Sequence, residues 1–218
     1  LDEYFNGPEE ISLAKSGTPL EKINQQGYKV ENFNTKINLL KHLLESDESM
    51  SKVLVFANNK KHADYLFNTL DELYPDQFDV IHSNKSQNYR LRAMRKFEDA
   101  EVRGLITTDV MARGLDISDI THVFNFEIPE VPEQYIHRIG RTGRADKDGT
   151  AISFITKKEE ALLLEIEVLM NKELQFIDFP EEVTINPKKI ESEKEEVKMK
   201  NPTKAPDISQ GGGAFHEK

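Results

Sequence analysis

Hydrophobic and polar positions alternate in blocks along this chain, and the period of each block predicts an element. Residues 28–33 read as a strand. Residues 34–45 then place Ile37, Leu40 and Leu44 on one helical face, with Asn34 as the expected N-cap. Val53-Leu54-Val55-Phe56-Ala57 is a continuous apolar run, as expected of a strand covered on both faces. Helical spacing returns over 60–73 through Ala63, Leu66, Phe67 and Leu70. The alternation continues with strand 79–82 and helix 86–99, then strand 104–108 and a short helical turn near Val110. Strand 122–126 precedes helix 132–144, and strand 150–156 precedes helix 158–171. Repeated βα units imply an α/β domain whose mainly parallel sheet lies between helices. Right-handed crossovers bring the strand carboxyl ends to one edge, where open α/β sheets bind ligands. Residues just after the strands are therefore the ones to read for chemistry.

The two ends depart from this rhythm. Residues 1–21 carry Gly7-Pro8, Gly17 and Thr18-Pro19, which read as loop and linker around one short strand candidate at 11–14. After Pro180 the apolar period fades. Residues 187–218 are rich in Lys, Glu, Pro and Gly, with too little apolar surface to offset the entropy of ordering, so a disordered tail is expected.

Composition narrows the function classes. With no cysteine, the chain has no disulfide, no Cys zinc site and no thiol nucleophile, which fits a reducing cytoplasm. No secretory signal pattern opens the sequence, and no apolar run approaches the ~18 residues of a membrane helix. The net charge of -10 argues against bulk electrostatic coating of nucleic acid. That charge is uneven. Residues 82–144 hold ten Lys/Arg against nine Asp/Glu, so the acidity lies elsewhere and leaves room for a local phosphate grip.

Three segments carry candidate chemistry. In His137-Arg138-Ile139-Gly140-Arg141-Thr142-Gly143-Arg144, three arginines recur every third residue. On a continuous helix, His137, Arg141 and Arg144 would fall within about 60° of one face, with Arg138 to one side. Guanidinium forks match phosphate oxygens and stay charged. A solvated basic face is the alternative, weakened here by the paired glycines and by the position after a strand. Thr107-Thr108-Asp109, running on to Asp116, offers hydroxyls at a strand end and a carboxylate for sugar hydroxyls. Ser86-Gln87-Asn88-Tyr89-Arg90 opens a helix. Each of these last two, taken alone, is ordinary turn and capping chemistry.

Taken together and in order, these segments closely resemble the C-terminal RecA-like domain of DEAD-box ATP-dependent RNA helicases, over about residues 8–180. Residues 53–59 resemble motif IV, Gln87 to Arg90 the QxxR element, Thr108 to Asp116 motif V, and His137 to Arg144 motif VI. The stretches around His82 and Gln134 resemble the bacterial RhlE-type subgroup. The fold implied is a RecA-like three-layer α/β/α domain with a mainly parallel sheet. The resemblance makes Arg141 the arginine finger on the γ-phosphate of ATP, with Arg144 beside it on the same triphosphate. Asp116 corresponds to the ribose contact, and Arg113 and His137 to residues that couple the two helicase domains. Thr108 and Arg90 correspond to RNA backbone contacts, and Gln87 to the residue supporting that helix. Phosphate contacts position a strand without reading it, so the expected RNA grip tolerates sequence.

Two departures stand out. Ser83 occupies a position that is usually glycine, and Asn59 one that is usually Thr or Ser; both are kept as RNA-binding candidates. No G-x-x-x-x-G-K-[ST] loop and no Asp-Glu-Ala-Asp occur, so ATP and Mg2+ are expected to be held mainly by an N-terminal RecA-like partner domain. No residue here is assigned to a metal. The resemblance divides the chain into 1–14, a remnant of that first domain; 15–21, an interdomain linker; 22–180, the helicase C-terminal domain; and 181–218, the tail. The expected protein is half of an ATP-driven RNA helicase: cytoplasmic, monomeric, and inactive alone. The alternatives are a non-catalytic RecA-like module that docks RNA or protein, and half of a superfamily-2 helicase acting on DNA.

Overall fold

The structure is a computed structural model and describes residues 22–112, 117–144 and 148–194. Its strands are β1 (Ile23–Lys29), β2 (Val53–Phe56), β3 (Phe78–Ile81), β4 (Gly104–Thr107), β5 (His122–Asn125), β6 (Gly149–Ile155) and β7 (Gln175–Phe176). Between them run α1 (Phe33–Ser46), α2 (Lys60–Leu73), α3 (Gln87–Glu98), α4 (Asp109–Ala112), α5 (Pro132–Ile139) and α6 (Glu160–Met170). The strands form one sheet in the order β3-β4-β2-β5-β6-β1-β7, and every neighbouring pair is parallel.

The two-residue period of a strand sorts the core into layers. Val53 and Val55 of β2 face α1 and α2, joining Ile37, Leu40, Leu66 and Leu70. Leu54 and Phe56, one residue out of phase, face α3 through Ala93 and Phe97. Tyr135 and Ile139 of α5 pack with Leu163 and Ile166 of α6 over Ala151 and Ile155 of β6. Burial on both faces is what the continuous apolar runs predict. Each such Leu, Ile or Phe contributes roughly 1.5–3 kcal/mol on burial. No helix among the described residues is long and apolar enough to cross a membrane.

The elements differ from the sequence reading in several places. β1 begins at Ile23 rather than 28 and pairs with β6 from Ile23–Gly149 to Lys29–Ile155. Its amides hide it from a hydrophobic pattern, although Gln25 is buried and accepts from the Tyr135 hydroxyl at 3.3 Å. α1 is capped by Asn32, not Asn34: Asn32 Oδ1 accepts from the Thr35 amide at 2.9 Å. α5 stops at Ile139, five residues short of the predicted end, because Gly140 caps it and Gly143 takes φ 69°. That left-handed backbone favours glycine and cannot continue a helix. α6 starts at Glu160, after a turn in which Glu159 accepts from Thr156.

The tail differs as well. Disorder is expected over 187–218, yet residues 187–194 continue a segment, from 181 onward, that lies packed against α1. Val183 is buried in the core, and the carbonyls of Thr184, Asn186 and Lys188 accept from Asn38, Asn32 and Asn34 at 2.6–2.7 Å. Side-chain amides hold this segment, so an apolar period could not have shown it. The strand candidate at 11–14, the remnant at 1–14, the linker at 15–21 and the tail beyond 194 lie outside the described residues.

Candidate functional site

The chain leaves each strand at the carboxyl edge, and there the candidate residues gather. After β2 comes Asn58-Asn59, after β3 His82-Ser83, after β4 Thr108-Asp109, and after β5 Phe126-Glu127. β2 lies between β4 and β5, so the ends of three strands meet side by side.

At their meeting point sits Arg138. Its side chain is 1% exposed. Nε and Nη2 donate to the two carboxylate oxygens of Asp109, both at 2.7 Å, a bidentate pair. Nη1 donates to the Glu127 carbonyl at 2.6 Å and Nη2 to Asn58 Oδ1 at 3.0 Å. The guanidinium also lies 5.0 Å from the centroid of the Phe56 ring. One arginine of α5 thus fixes the ends of β2, β4 and β5 relative to one another. A charge this deep is tolerable only when paired and fully bonded.

Beside this cluster, Asn59, Ser83 and Thr108 line one groove of about 450 Å³, together with Lys60, Val110 and Gln134. Asn59 is also the N-cap of α2, where its Oδ1 accepts from the His62 amide at 2.9 Å. The carbonyl of Thr108 accepts from Met111 and Ala112, which winds α4 tightly after β4. On α3, capped by Ser86, Arg90 donates to Gln87 Oε1 at 2.5 Å and approaches Met111 Sδ at 3.2 Å. Arg90 Nε is buried without an acceptor, a state that costs free energy until one is supplied.

His137 and Arg141 share a small crevice with Phe56, Asp109 and Arg138. Because α5 ends early, Arg141 and Arg144 stand on the turn after it, not on its face. Arg141 Nε donates to the His137 carbonyl at 3.2 Å and Arg144 Nε to the Gly140 carbonyl at 3.1 Å. Thr142 pins the turn by donating to the Ile120 carbonyl at 2.5 Å. Gly149 lies beneath it, where a Cβ would overlap Thr142 and the Gly143 amide. Arg113 and Asp116 lie outside the described residues.

The sequence reading sets Arg138 to one side, and it gives Asp109 and Asn58, which fall inside the quoted segments, no role of their own. A signal existed for Arg138: three residues after Tyr135, it lies on the apolar face of α5. Nothing in the sequence pointed to its partners, 29 and 80 residues away.

Glu127 completes the edge. Burial alone would raise its carboxyl, but His62 at 2.8 Å, the Asn58 amide and Lys36 together hold it below the usual carboxylate range. Among the described residues no group of His, Asp or Glu is arranged to hold a metal ion.

Residues 35–146, just over half of the chain, match the family described as Helicase conserved C-terminal domain. The chain belongs to that family. Over 190 residues it is 38% identical to the ATP-dependent RNA helicase DbpA of Bacillus subtilis, covering 87% of this chain and 39% of that protein. It is 36% identical over 179 residues to the DEAD-box ATP-dependent RNA helicase CshA of the same species, covering 82% of this chain and 36% of that one. The chain therefore spans less than half the length of the curated relatives it matches.

Solved helicase structures agree. The E. coli DEAD-box protein SrmB, bound to regulator of ribonuclease activity A, superposes with a TM-score of 0.69 at 31% identity. That match covers 77% of this chain and 97% of the SrmB chain. S. cerevisiae Dbp5, bound to RNA and ADP BeF3, gives 0.66 at 30% identity, over 72% of this chain and 42% of that one. The fold is the RecA-like fold of a DEAD-box helicase C-terminal domain.

Proposed function

We propose that this domain is the C-terminal half of an ATP-dependent RNA helicase, and that it supplies the arginine finger and half of the RNA backbone grip. The reading is carried by the carboxyl edge, where Asn59, Ser83 and Thr108 line a single groove beside the Arg138–Asp109 pair. Arg141 and His137 open onto the other side of the same pair. Two ligand surfaces, one for a phosphodiester chain and one for a triphosphate, thus rest on one rigid cluster. Arg90, with Gln87 behind it and an unsatisfied Nε, suits an RNA phosphate oxygen.

The nucleotide fits the donors present. Arg141 and Arg144 are guanidiniums on a pinned turn, and charge of this kind stabilises the transferring phosphoryl group. Asp116 would meet the ribose, while Arg113 and His137 would face the partner domain. ATP supplies the phosphoryl chemistry with Mg2+, both held mainly by an N-terminal RecA-like domain that brings the P-loop. The chain works as a monomer in the cytoplasm, and the stretches around His82 and Gln134 favour an RhlE-like enzyme acting on RNA.

The test has two parts. The purified chain shows no RNA-stimulated ATP hydrolysis, measured by phosphate release. In the enzyme that also carries the N-terminal domain, Arg141→Ala lowers kcat by about 10³–10⁵ and leaves ATP affinity nearly unchanged, as loss of a transition-state contact does. Equal losses in kcat and in affinity would make Arg141 a binding residue only. Turnover by the chain alone would end the half-site reading.

A further inference from the structure

The packed segment reaches the carboxyl edge of the sheet at residues 191–193. Beyond the amide ladder on α1, Glu191–Glu193 form one 3-10 turn that carries Ser192 and Glu193 to the carboxyl edge. Glu193 Oε1 accepts from the Phe33 amide at 2.6 Å, and Oε2 from the Ile190 amide at 3.1 Å. Phe33 opens α1, so its N–H has no partner inside the helix, and a carboxylate there also meets the positive end of the helix dipole. Lys158 donates to the Glu193 carbonyl at 3.3 Å.

Ser192 Oγ lies 2.9 Å from His62 Nε2, and His62 Nδ1 lies 2.8 Å from Glu127 Oε1. Glu127 Oε2 accepts from the Asn58 amide at 2.9 Å, and Asn58 Oδ1 accepts from Arg138 at 3.0 Å. An unbroken series of hydrogen bonds therefore runs from the tail to the cluster that holds the ends of β2, β4 and β5. His62 and Glu127 each bond both of their neighbours, and at Asn58 the series passes from the backbone amide to the side-chain oxygen.

We propose that residues 186–193 are a strap, and that Ser192, Glu193 and His62 are positioning residues that set the Asn58–Arg138–Asp109 cluster from outside it. His62 transmits the contact. With its ring between Ser192 and Glu127, it orients the Glu127 carboxylate, which then holds the Asn58 backbone and so the acceptor facing Arg138. The strap gives this cluster a second, chain-remote support that the βα fold does not itself provide. The coupling is read by perturbing one end of the series and measuring at the other.

That perturbation is Ser192→Ala/Glu193→Ala in the 218-residue chain, read by amide hydrogen exchange and by the NMR signal of the Arg138 Nε–H. The expected result is about tenfold faster exchange at Phe33 and at Asn58, together with a displaced Arg138 Nε–H signal. Leu105 in β4 keeps its protection, and the single variant Glu193→Gln, which keeps Ser192 against His62 and an acceptor for the Phe33 amide, restores much of the wild-type pattern. Faster exchange at Phe33 alone would mean a docked strap without coupling, and would overturn the proposal. So would no change at Phe33, no change at Arg138, equal acceleration at Leu105, or failure of the Gln variant to rescue. No nucleotide or RNA enters the measurement, so its failure is separate from failure of the helicase reading.

Discussion

Arg138 shows how much one side chain can decide. It bonds Asp109, Asn58 and the Glu127 carbonyl at once, while 1% exposed. Truncating one partner of a buried ion pair strands the other, and typically costs about 3–5 kcal/mol. Arg138→Ala is expected to lose stability on that scale in a urea titration. Arg138→Lys keeps the charge but cannot form the two-pronged bond to Asp109, so it recovers only part. The sequence marked this arginine as one of three alike, because spacing cannot tell a buried guanidinium from one that faces a ligand. His122 and Glu127 both contribute to the response to acid. Burial pushes the His122 imidazole below its ordinary 6.5, and the partners of Glu127 hold it below its ordinary 4.5. Both folded values are depressed, so both contributions are full above the unfolded values and are lost as pH falls through the folded ones. Unfolding free energy should therefore decline on acidification from about pH 6.5, first through His122 and then through Glu127. In a His122→Asn chain the first part of that decline should disappear from a series of denaturant melts at stepped pH.

Among the elements, α5 is where pattern and packing diverge most usefully. Periodicity carries the helix through Arg144, and the structure ends it at Ile139 with Gly140 as cap. Had the helix continued, Arg141 and Arg144 would share its face with His137. Instead they sit on a turn that Thr142 ties to the Ile120 carbonyl. The start of β6 passes directly under that turn, with no room for a side chain on Gly149. Gly149→Ala is expected to cost about 1–3 kcal/mol through overpacking against backbone, read as a lower Tm. The centres of α2, α3 and the inner strands were legible from the sequence, because their apolar residues repeat at 3.6 or run unbroken. β1 was displaced by its own amides, and β7, only two residues long, carries no period to read. Residues 181–194 were missed for a related reason: Asn32, Asn34 and Asn38 hold their carbonyls, and hydrogen bonds leave no hydrophobic trace.

At the scale of the whole molecule, the charge and the sheet order belong together. The net charge of -10 is confined outside residues 82–144, which supply most of the carboxyl edge of the sheet. A parallel sheet in the order β3-β4-β2-β5-β6-β1-β7 puts β2 between β4 and β5, and so joins residues from 58 to 138 at one place. The sequence by itself determined the fold class, the two-faced burial of the strands and the residue types suited to phosphate, because each is written in local period and local chemistry. The tertiary structure alone decided which of those residues touch, that Arg138 braces the site from within, and that the tail returns to α1. Contacts between residues tens of positions apart depend on strand order and on buried polar bonds, and neither leaves a period in the chain.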